Sequence, residues 1–392
     1  MIWAVMALFL LLIVTDTAQA TEFLSADLRV DRTYDNNLFR LADNLDSQTV
    51  IGTNQTDDVI NNYGIQLNLD LPLSLQNLTG HAAVVASRFE HNNQLDNNSL
   101  DLMLGWDGEI AGVWGGSVKW QRKRILADFS NFQGSQRSIL THNHGEIRLD
   151  REIGRQWLVW GDWKRDSYSR SLISQQQHDR RSVSLRLGVT GRSSAGSELM
   201  IFASSRSVDL VNLRWFPGAL QDDALREDGL RFNLKWKMAA NMTVDSGIGV
   251  ERVVNPHLSQ NDYSGISYDL ALAWNDDGRL NWQSEIWRNI DTVDSVYSNY
   301  VARKGGRLNV QWSVRETLMM KTKMSIEWLD YEGGNALQRE DEIQDLSLSL
   351  VYKPLRNTDL SLTYTESKRD STIAFGGFRD HQVQLSASIH WQ

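Results

Sequence analysis

Six tracts of alternating apolar and polar residues, each ending on an aromatic residue and a short turn, limit what this chain can fold into more than any other feature. Leu100, Leu102 and Leu104 lead to Trp106; Leu230, Phe232 and Leu234 lead to Trp236; Ile266, Tyr268, Leu270 and Leu272 lead to Trp274. Leu308 and Val310 then lead to Trp312, Leu346, Leu348 and Leu350 to Tyr352, and Val383, Leu385, Ala387 and Ile389 to Trp391. The last five aromatics lie 38, 38, 40 and 39 residues apart, an internal period that marks a repeated supersecondary unit. Alternation with a period of two puts successive side chains on opposite faces of a strand, so the repeating unit is a β-hairpin.

The second face of each tract is polar: Arg231, Asn233 and Lys235; Arg307, Asn309 and Gln311; Gln382, Gln384, Ser386, Ser388 and His390. A soluble sandwich alternates too, because one of its faces is solvated. The aromatic at a constant end position separates the two cases, since Trp and Tyr settle where hydrocarbon meets head groups and form girdles in membrane barrels. Tracts of about ten residues also match a tilted strand crossing the hydrocarbon core. The expectation is an all-β, transmembrane, antiparallel up-and-down β-barrel of about 18 strands (16 to 18), with short periplasmic turns and longer extracellular loops. Trp106, Trp236, Trp274, Trp312, Tyr352 and Trp391 form its periplasmic aromatic girdle. A barrel of that size encloses an aqueous channel rather than a packed lumen.

Long connections rich in Asn, Asp, Ser and Gln are expected at Asp35 to Asp58, His91 to Asn98, Asp128 to Ser138, Ser171 to His178, Leu213 to Leu225, Asn255 to Asp262, Asp291 to Asn299, Tyr331 to Glu340 and Arg369 to Phe378. Tight turns alternate with them, most clearly at Gly191 to Gly196 and Asp276 to Gly278. The four prolines, Pro72, Pro217, Pro256 and Pro354, fall in these turns and loops and outside the strands.

Residues 1–20 read as a secretory leader, with an apolar run from Ala7 to Val14, cleavage near Ala20 after Ala18-Gln19-Ala20, and no Lys or Arg ahead of the run. Residues 21–392 form the barrel as one unit, because no Pro/Gly/Ser tract divides them. A mean hydropathy of -0.40 does not suit a helical membrane protein, whereas a barrel strand is half polar. Cysteine is absent, which excludes disulfide and thiolate chemistry. The net charge of -9 excludes the basic footprint of a nucleic-acid binder. The destination is the bacterial outer membrane, with the final strand, His381 to Trp391, presented to the barrel assembly machinery during biogenesis.

Lys119, Lys123, Arg148, Lys164 and Arg186 are predicted to point into the lumen, and a wall of one charge concentrates the opposite ion. Glu146, Asp150 and Asp162 oppose it. Arg122, Arg124, Arg165, Arg170, Arg180 and Arg181 are placed near the outer rim, facing lipid and lipopolysaccharide phosphates. Trp160 and Trp287 fall out of phase with the girdle and are predicted to face inward, where a flat ring suits the apolar face of a sugar. His142 and His144 share a strand face with Glu146 and Arg148 and read as lumen wall rather than as a metal pair. The Asp-rich stretches Asp43 to Asp46 and Asp96 to Asp101 lack the Gly and Glu positions of a calcium loop. No nucleophile elbow, HExxH, P-loop or dinucleotide motif occurs. No catalytic residue, metal or cofactor is therefore assigned, and the chain is not read as an enzyme.

The segment Thr33-Tyr34-Asp35-Asn36-Asn37-Leu38-Phe39-Arg40-Leu41 resembles the early signature of the EpsL family, outer-membrane proteins encoded with the exopolysaccharide clusters that accompany exosortase and PEP-CTERM systems. Other β-barrel porins of that group carry similar Tyr-Asp-x-Asn segments. The resemblance implies a role in exopolysaccharide production or export, as an aqueous path or outer-membrane component for a hydrophilic polymer. Its implied partners are the exopolysaccharide chain and periplasmic polysaccharide-export proteins, and it supplies no catalytic residues. A diffusion porin for small solutes is the alternative, as is a non-conducting component of a secretion complex plugged by the loop Asp35 to Asp58. Physically, Tyr34 closes a strand at the interface, Asp35, Asn36 and Asn37 make side-chain-to-backbone turn bonds, and Leu38 and Phe39 fold back onto the rim or into the mouth.

Overall fold

The computed structural model describes residues 23–391 except 131, 133, 218, 220, 221, 277, 293–299 and 333–338. The leader expected over residues 1–20 lies outside the described residues, as do parts of the expected loops after Asp291 and Tyr331. The strands are β1 Leu24–Asp35, β2 Asp58–Leu73, β3 Gln76–Phe89, β4 Asn97–Ile110, β5 Trp114–Leu126 and β6 Ile139–Ile153. They continue with β7 Trp157–Arg170, β8 Arg180–Arg192, β9 Glu198–Leu210, β10 Ala224–Ala239, β11 Met242–Val254 and β12 Tyr263–Asp276. The set ends with β13 Leu280–Thr292, β14 Tyr300–Arg315, β15 Leu318–Glu332, β16 Arg339–Leu355, β17 Thr358–Ser371 and β18 Phe378–Trp391. All 18 form one sheet, each antiparallel to its sequence neighbours. Pairing of β1 with β18, from Ala26 opposite Trp391 to Asp35 opposite Gln382, closes the ring.

Closure leaves no edge strand to be satisfied in hydrocarbon. The register also assigns the faces. Leu28 on β1 lies beside Ile65 on β2 and Ile389 on β18, and each of these apolar rows points outward. Val30, Leu230, Phe232, Leu270, Leu348, Leu362 and Leu385 are all exposed on the outer surface. An apolar belt of that extent has no place in water and defines a lipid-facing surface. One end carries tight turns, of two residues between β2 and β3, β10 and β11, β14 and β15, and β16 and β17. At this turn end stand Trp106, Trp236, Trp274, Trp312, Tyr352 and Trp391, on the outward rows. Trp114, Trp157 and Trp282 extend the girdle; Trp282 lies directly opposite Trp274.

Two prolines sit differently from the sequence expectation. Pro72 and Pro354 are the penultimate residues of β2 and β16 rather than turn residues. Each is tolerated because the ladder is ending there, and at Pro354 the register has already shifted in a bulge between Tyr352 and Leu355.

The other end carries the long loops. The first, residues 36–57, contains a short helix α1, Ser47–Ile51, ended by Gly52 in the left-handed conformation at φ 77°. Its Leu38, Phe39, Leu41 and Ile51 are buried against Phe89, Leu95 and Phe129, with Ile60 packed alongside. Ile60 and Phe89 face each other on the inward rows of β2 and β3, so this loop folds inward over the mouth.

Candidate solute pathway through the barrel

The inward row of β5 to β8 places each expected cation beside an acid on the neighbouring strand. Lys123 pairs with Asp101 at 3.1 Å, Lys164 with Glu146 at 3.0 Å, and Arg186 with Asp162 at 2.8 Å. Arg148 stands opposite Asp162 in the register and 3.7 Å from Asp150 of its own strand, and Lys119 stands opposite Glu146. All five cations thus face the lumen as a ladder of alternating charge. Arg170 and Arg180 stand at the loop ends of β7 and β8 but face inward rather than toward lipid. Arg170 is buried at the inner mouth and donates to the His178 carbonyl at 2.9 Å, and Arg180 lies 4.4 Å over the Tyr168 ring. Register explains the difference: both occupy inward positions, whereas Arg122, Arg124, Arg165 and Arg181 occupy outward ones above the belt.

Trp160 points inward but is only 3% exposed. Its Nε1 donates to Thr190 Oγ1 at 3.1 Å, and Arg148 covers the ring at 4.7 Å. Leu158 and Phe202 are buried with it. Gly188 permits this packing, since a Cβ there would lie 2.5 Å from the Trp160 ring and 2.7 Å from Phe202. Trp287 also faces inward, beneath Arg307 at 5.2 Å.

A second charged arc spans β9 to β15. Arg303 pairs with Glu327 at 2.6 Å, Arg206 with Glu227 at 3.1 Å, and Arg231 with Asp269. Arg231, Asp269, Glu285, Trp287, Arg303, Arg307 and Glu327 line a cavity of about 450 Å³. Alternation marked Arg231 and Arg307 as polar-face residues, but their cross-strand acids follow only from the register. Toward the turn end, Asn281, Gln283, Asn309, Gln311, Lys321 and Lys323 line a cavity of about 430 Å³.

At the mouth, the loop of residues 127–138 reaches across to β17, where Arg369 donates to the Ser130 carbonyl at 2.6 Å. Ser135 Oγ donates to the Ile51 carbonyl at 3.1 Å, tying this loop to α1. Between them lies a cavity of about 650 Å³ whose charged and titratable lining is Arg40, His178, Arg339 and Arg369, with Phe129, Phe132 and Phe375 and no carboxylate among the described residues.

The segment Thr33 to Leu41 forms a staple at the loop end of the β1/β18 seam. Asp35 accepts from the Asn37 N–H at 3.0 Å and from Gln382 Nε2 at 2.9 Å. Asn37 Nδ2 donates to the carbonyls of Leu41 at 2.8 Å and Arg379 at 2.9 Å, while its Oδ1 accepts from the Leu41 N–H at 3.0 Å. Arg40, at φ 54°, pairs with Asp35 at 3.2 Å and Asp380 at 3.1 Å. Leu38 and Phe39 carry the chain into the mouth core, and Tyr34 faces outward.

His142 and His144 acquire a partner that no sequence spacing announced. Asp166, from β7, accepts from His142 Nε2 and His144 Nδ1 on the same oxygen, both at 2.9 Å. Separately, in the loops above the barrel, Asp222 is buried and accepts from the backbone N–H groups of His257 at 2.7 Å and Leu258 at 3.0 Å. His257 Nδ1 lies 3.0 Å from Asp222 and 3.3 Å from Asp223, and its ring stacks on Trp215 at 4.7 Å. The hydrogen bond to Asp222 holds the His257 pKa above its ordinary value. Burial alone would raise the Asp222 carboxyl, but the hydrogen bonds from His257 and nearby backbone outweigh it and hold it below the ordinary range.

A family model described as "Putative beta-barrel porin 2" matches residues 227–390, the half of the barrel from β10 to β18. No curated protein gives a significant match to the chain. Among solved structures, the outer-membrane protein OpdK from Pseudomonas aeruginosa superposes with a TM-score of 0.50 at 10% identity, covering 94% of this chain and 100% of that one. OpdK with vanillate gives 0.51 at 9% identity, covering 94% and 99%. OccK9 (OpdG) from the same organism gives 0.51 at 11% identity, again covering 94% and 99%. The chain is a porin-like, 18-stranded transmembrane β-barrel.

Proposed function

We propose that this protein is an outer-membrane diffusion channel for small hydrophilic solutes, with small anions drawn in at the mouth. The observation that carries this reading is the mouth cavity of about 650 Å³, which presents Arg40, His178, Arg339 and Arg369 to its interior, while the carboxylates that pair these arginines, Asp35, Asp380 and Asp341, stand outside its lining. Below it the wall alternates in charge, so that an anion passes from one cation to the next instead of being held at a single site. The bridge from Ser130 to Arg369 crosses the entrance, which supports passage of small molecules better than that of a thick polymer strand. OpdK has been captured with vanillate, a small aromatic carboxylate; phenylalanines beside arginines in the mouth cavity suit the same chemistry here.

The polysaccharide role implied by the resemblance rests on Thr33 to Leu41, and those residues are engaged in closing the seam. A gene deletion that abolishes secreted polysaccharide while the pure protein stays closed to small solutes would favour that role. The direct test is reconstitution of the full chain in liposomes, with swelling measured in isosmotic sugars, small carboxylates and dextrans. Swelling with the first two and none with dextrans is expected. A barrel that conducts nothing would remove the proposal.

A further inference from the structure

We propose that His142, His144 and Asp166 form a transition-metal site on the lumen wall, selective for zinc-class divalent ions. The site stands whichever solute the barrel conducts. Two imidazole nitrogens and one carboxylate oxygen converge, all within 4.8 Å of one another. His142 Nε2 and His144 Nδ1 both approach Asp166 Oδ1 at 2.9 Å. Tetrahedral zinc, with ligand bonds of about 2.0–2.2 Å, needs ligand atoms about 3.4 Å apart. Moving the rings outward by about half an ångström brings both nitrogen-to-carboxylate separations to that value, each imidazole then carrying its proton on the nitrogen away from the metal.

The surroundings hold the ligands in the manner of a metal centre. Glu146 lies 3.5 Å from His144 Nε2, the nitrogen turned away from Asp166, and is itself held by Lys164 at 3.0 Å. A carboxylate on the far side of a ligating imidazole sets its orientation and raises its basicity. The His142 ring stacks on Tyr168 at 4.2 Å with 5° between planes. All three ligand side chains are partly open to the lumen, so an ion can enter from the water path and keep a free position for water or solute. Nitrogen-rich ligation of this kind favours copper and zinc over calcium or magnesium. The other His/Asp group, around His257, is a weaker candidate, because Asp222 already spends its oxygens on backbone N–H groups.

The test uses the full chain in detergent, without a histidine tag and stripped with chelator. Zn²⁺ binding is followed by calorimetry, and Co²⁺ by its visible spectrum, which reports imidazole nitrogen ligation directly on the unaltered protein. One ion per chain is expected, lost in His142→Ala/His144→Ala and in Asp166→Asn. Glu146→Gln should weaken affinity about tenfold, and His257→Ala should leave it unchanged. Heat-modifiable migration on gels checks that each variant is folded, and the Co²⁺ spectrum of the native chain decides the matter if one is not. No binding by the native chain, a Co²⁺ spectrum without nitrogen ligation, or loss that follows His257→Ala would each overturn the site.

Discussion

Asn36 and His381 bond each other twice across the junction of the first and last strands: the Asn36 N–H donates to the His381 carbonyl at 3.1 Å, and Asn36 Oδ1 accepts from the His381 N–H at 2.6 Å. A residue near the beginning of the barrel thereby clamps one 345 positions away. The Asn-rich segment Thr33 to Leu41 is the part of the chain that converts an open sheet into a cylinder at its loop end.

Asn37→Ala removes three hydrogen bonds of that clamp and strands the Leu41 and Arg379 carbonyls in a buried site. A loss of about 2–3 kcal/mol is expected, read as a lower temperature for conversion from compact to extended migration on gels. Unchanged thermal behaviour would mean that the loop is anchored elsewhere, by the apolar cluster around Phe39.

Leu348 lies midway along the outward row of β16, between Gln344 at the loop side and Tyr352 at the turn side. Leu348→Arg should destabilise the barrel in bilayers by about 2–4 kcal/mol. Ser347→Gln, one residue away and facing the lumen, should shift stability by no more than about 0.5 kcal/mol. Equal effects from the two substitutions would show that the assigned faces are wrong.

Trp160→Ala should act on stability rather than on solute passage, because the ring is buried under Arg148 and against Phe202. Denaturant titration is expected to show a loss of about 3–5 kcal/mol. Near-native stability combined with altered blockade by sugars would instead identify the ring as a free stacking surface.

The His257–Asp222 contact gives the loops a pH window. His257 is held above its ordinary 6.5, so its contribution is complete below pH 6.5 and disappears as pH rises through its raised folded value. Asp222 is held below 3.8, so its contribution is complete above that value and disappears as pH falls through the lowered one. Trp215 stacks on the His257 ring, and difference fluorescence against Trp215→Phe should show a transition with its midpoint above 6.5. Absence of that transition, or its survival in His257→Asn, would contradict the contact.

Much of the barrel was legible because its physics is local. Leu346 to Tyr352 can satisfy lipid on one side and water on the other only by being a strand, and the aromatic at its end states where the interface lies. The inward direction of Lys164, Arg186, Trp160 and Trp287 followed from the same alternation. Arg170 and Arg180 stand at the loop ends of β7 and β8, and the same alternation turns them inward, in step with Lys164 and Arg186, a direction not read for them from the sequence. The site around His142 and His144 was half visible: their spacing puts them on one face, but Asp166 joins them through the pairing of β6 with β7.

Alternation, the aromatic period and the spacing of turns determined, from the chain alone, that this protein is a membrane barrel of some 18 strands with a polar interior. Only the tertiary structure decided which charges meet across strands, how the loops reach over the mouth, and that Arg148 covers Trp160. The division has a physical reason: lipid and water act on each residue where it stands, one side chain at a time. An ion pair, a cavity or a clamp depends on register and on residues hundreds of positions apart, which no local pattern carries.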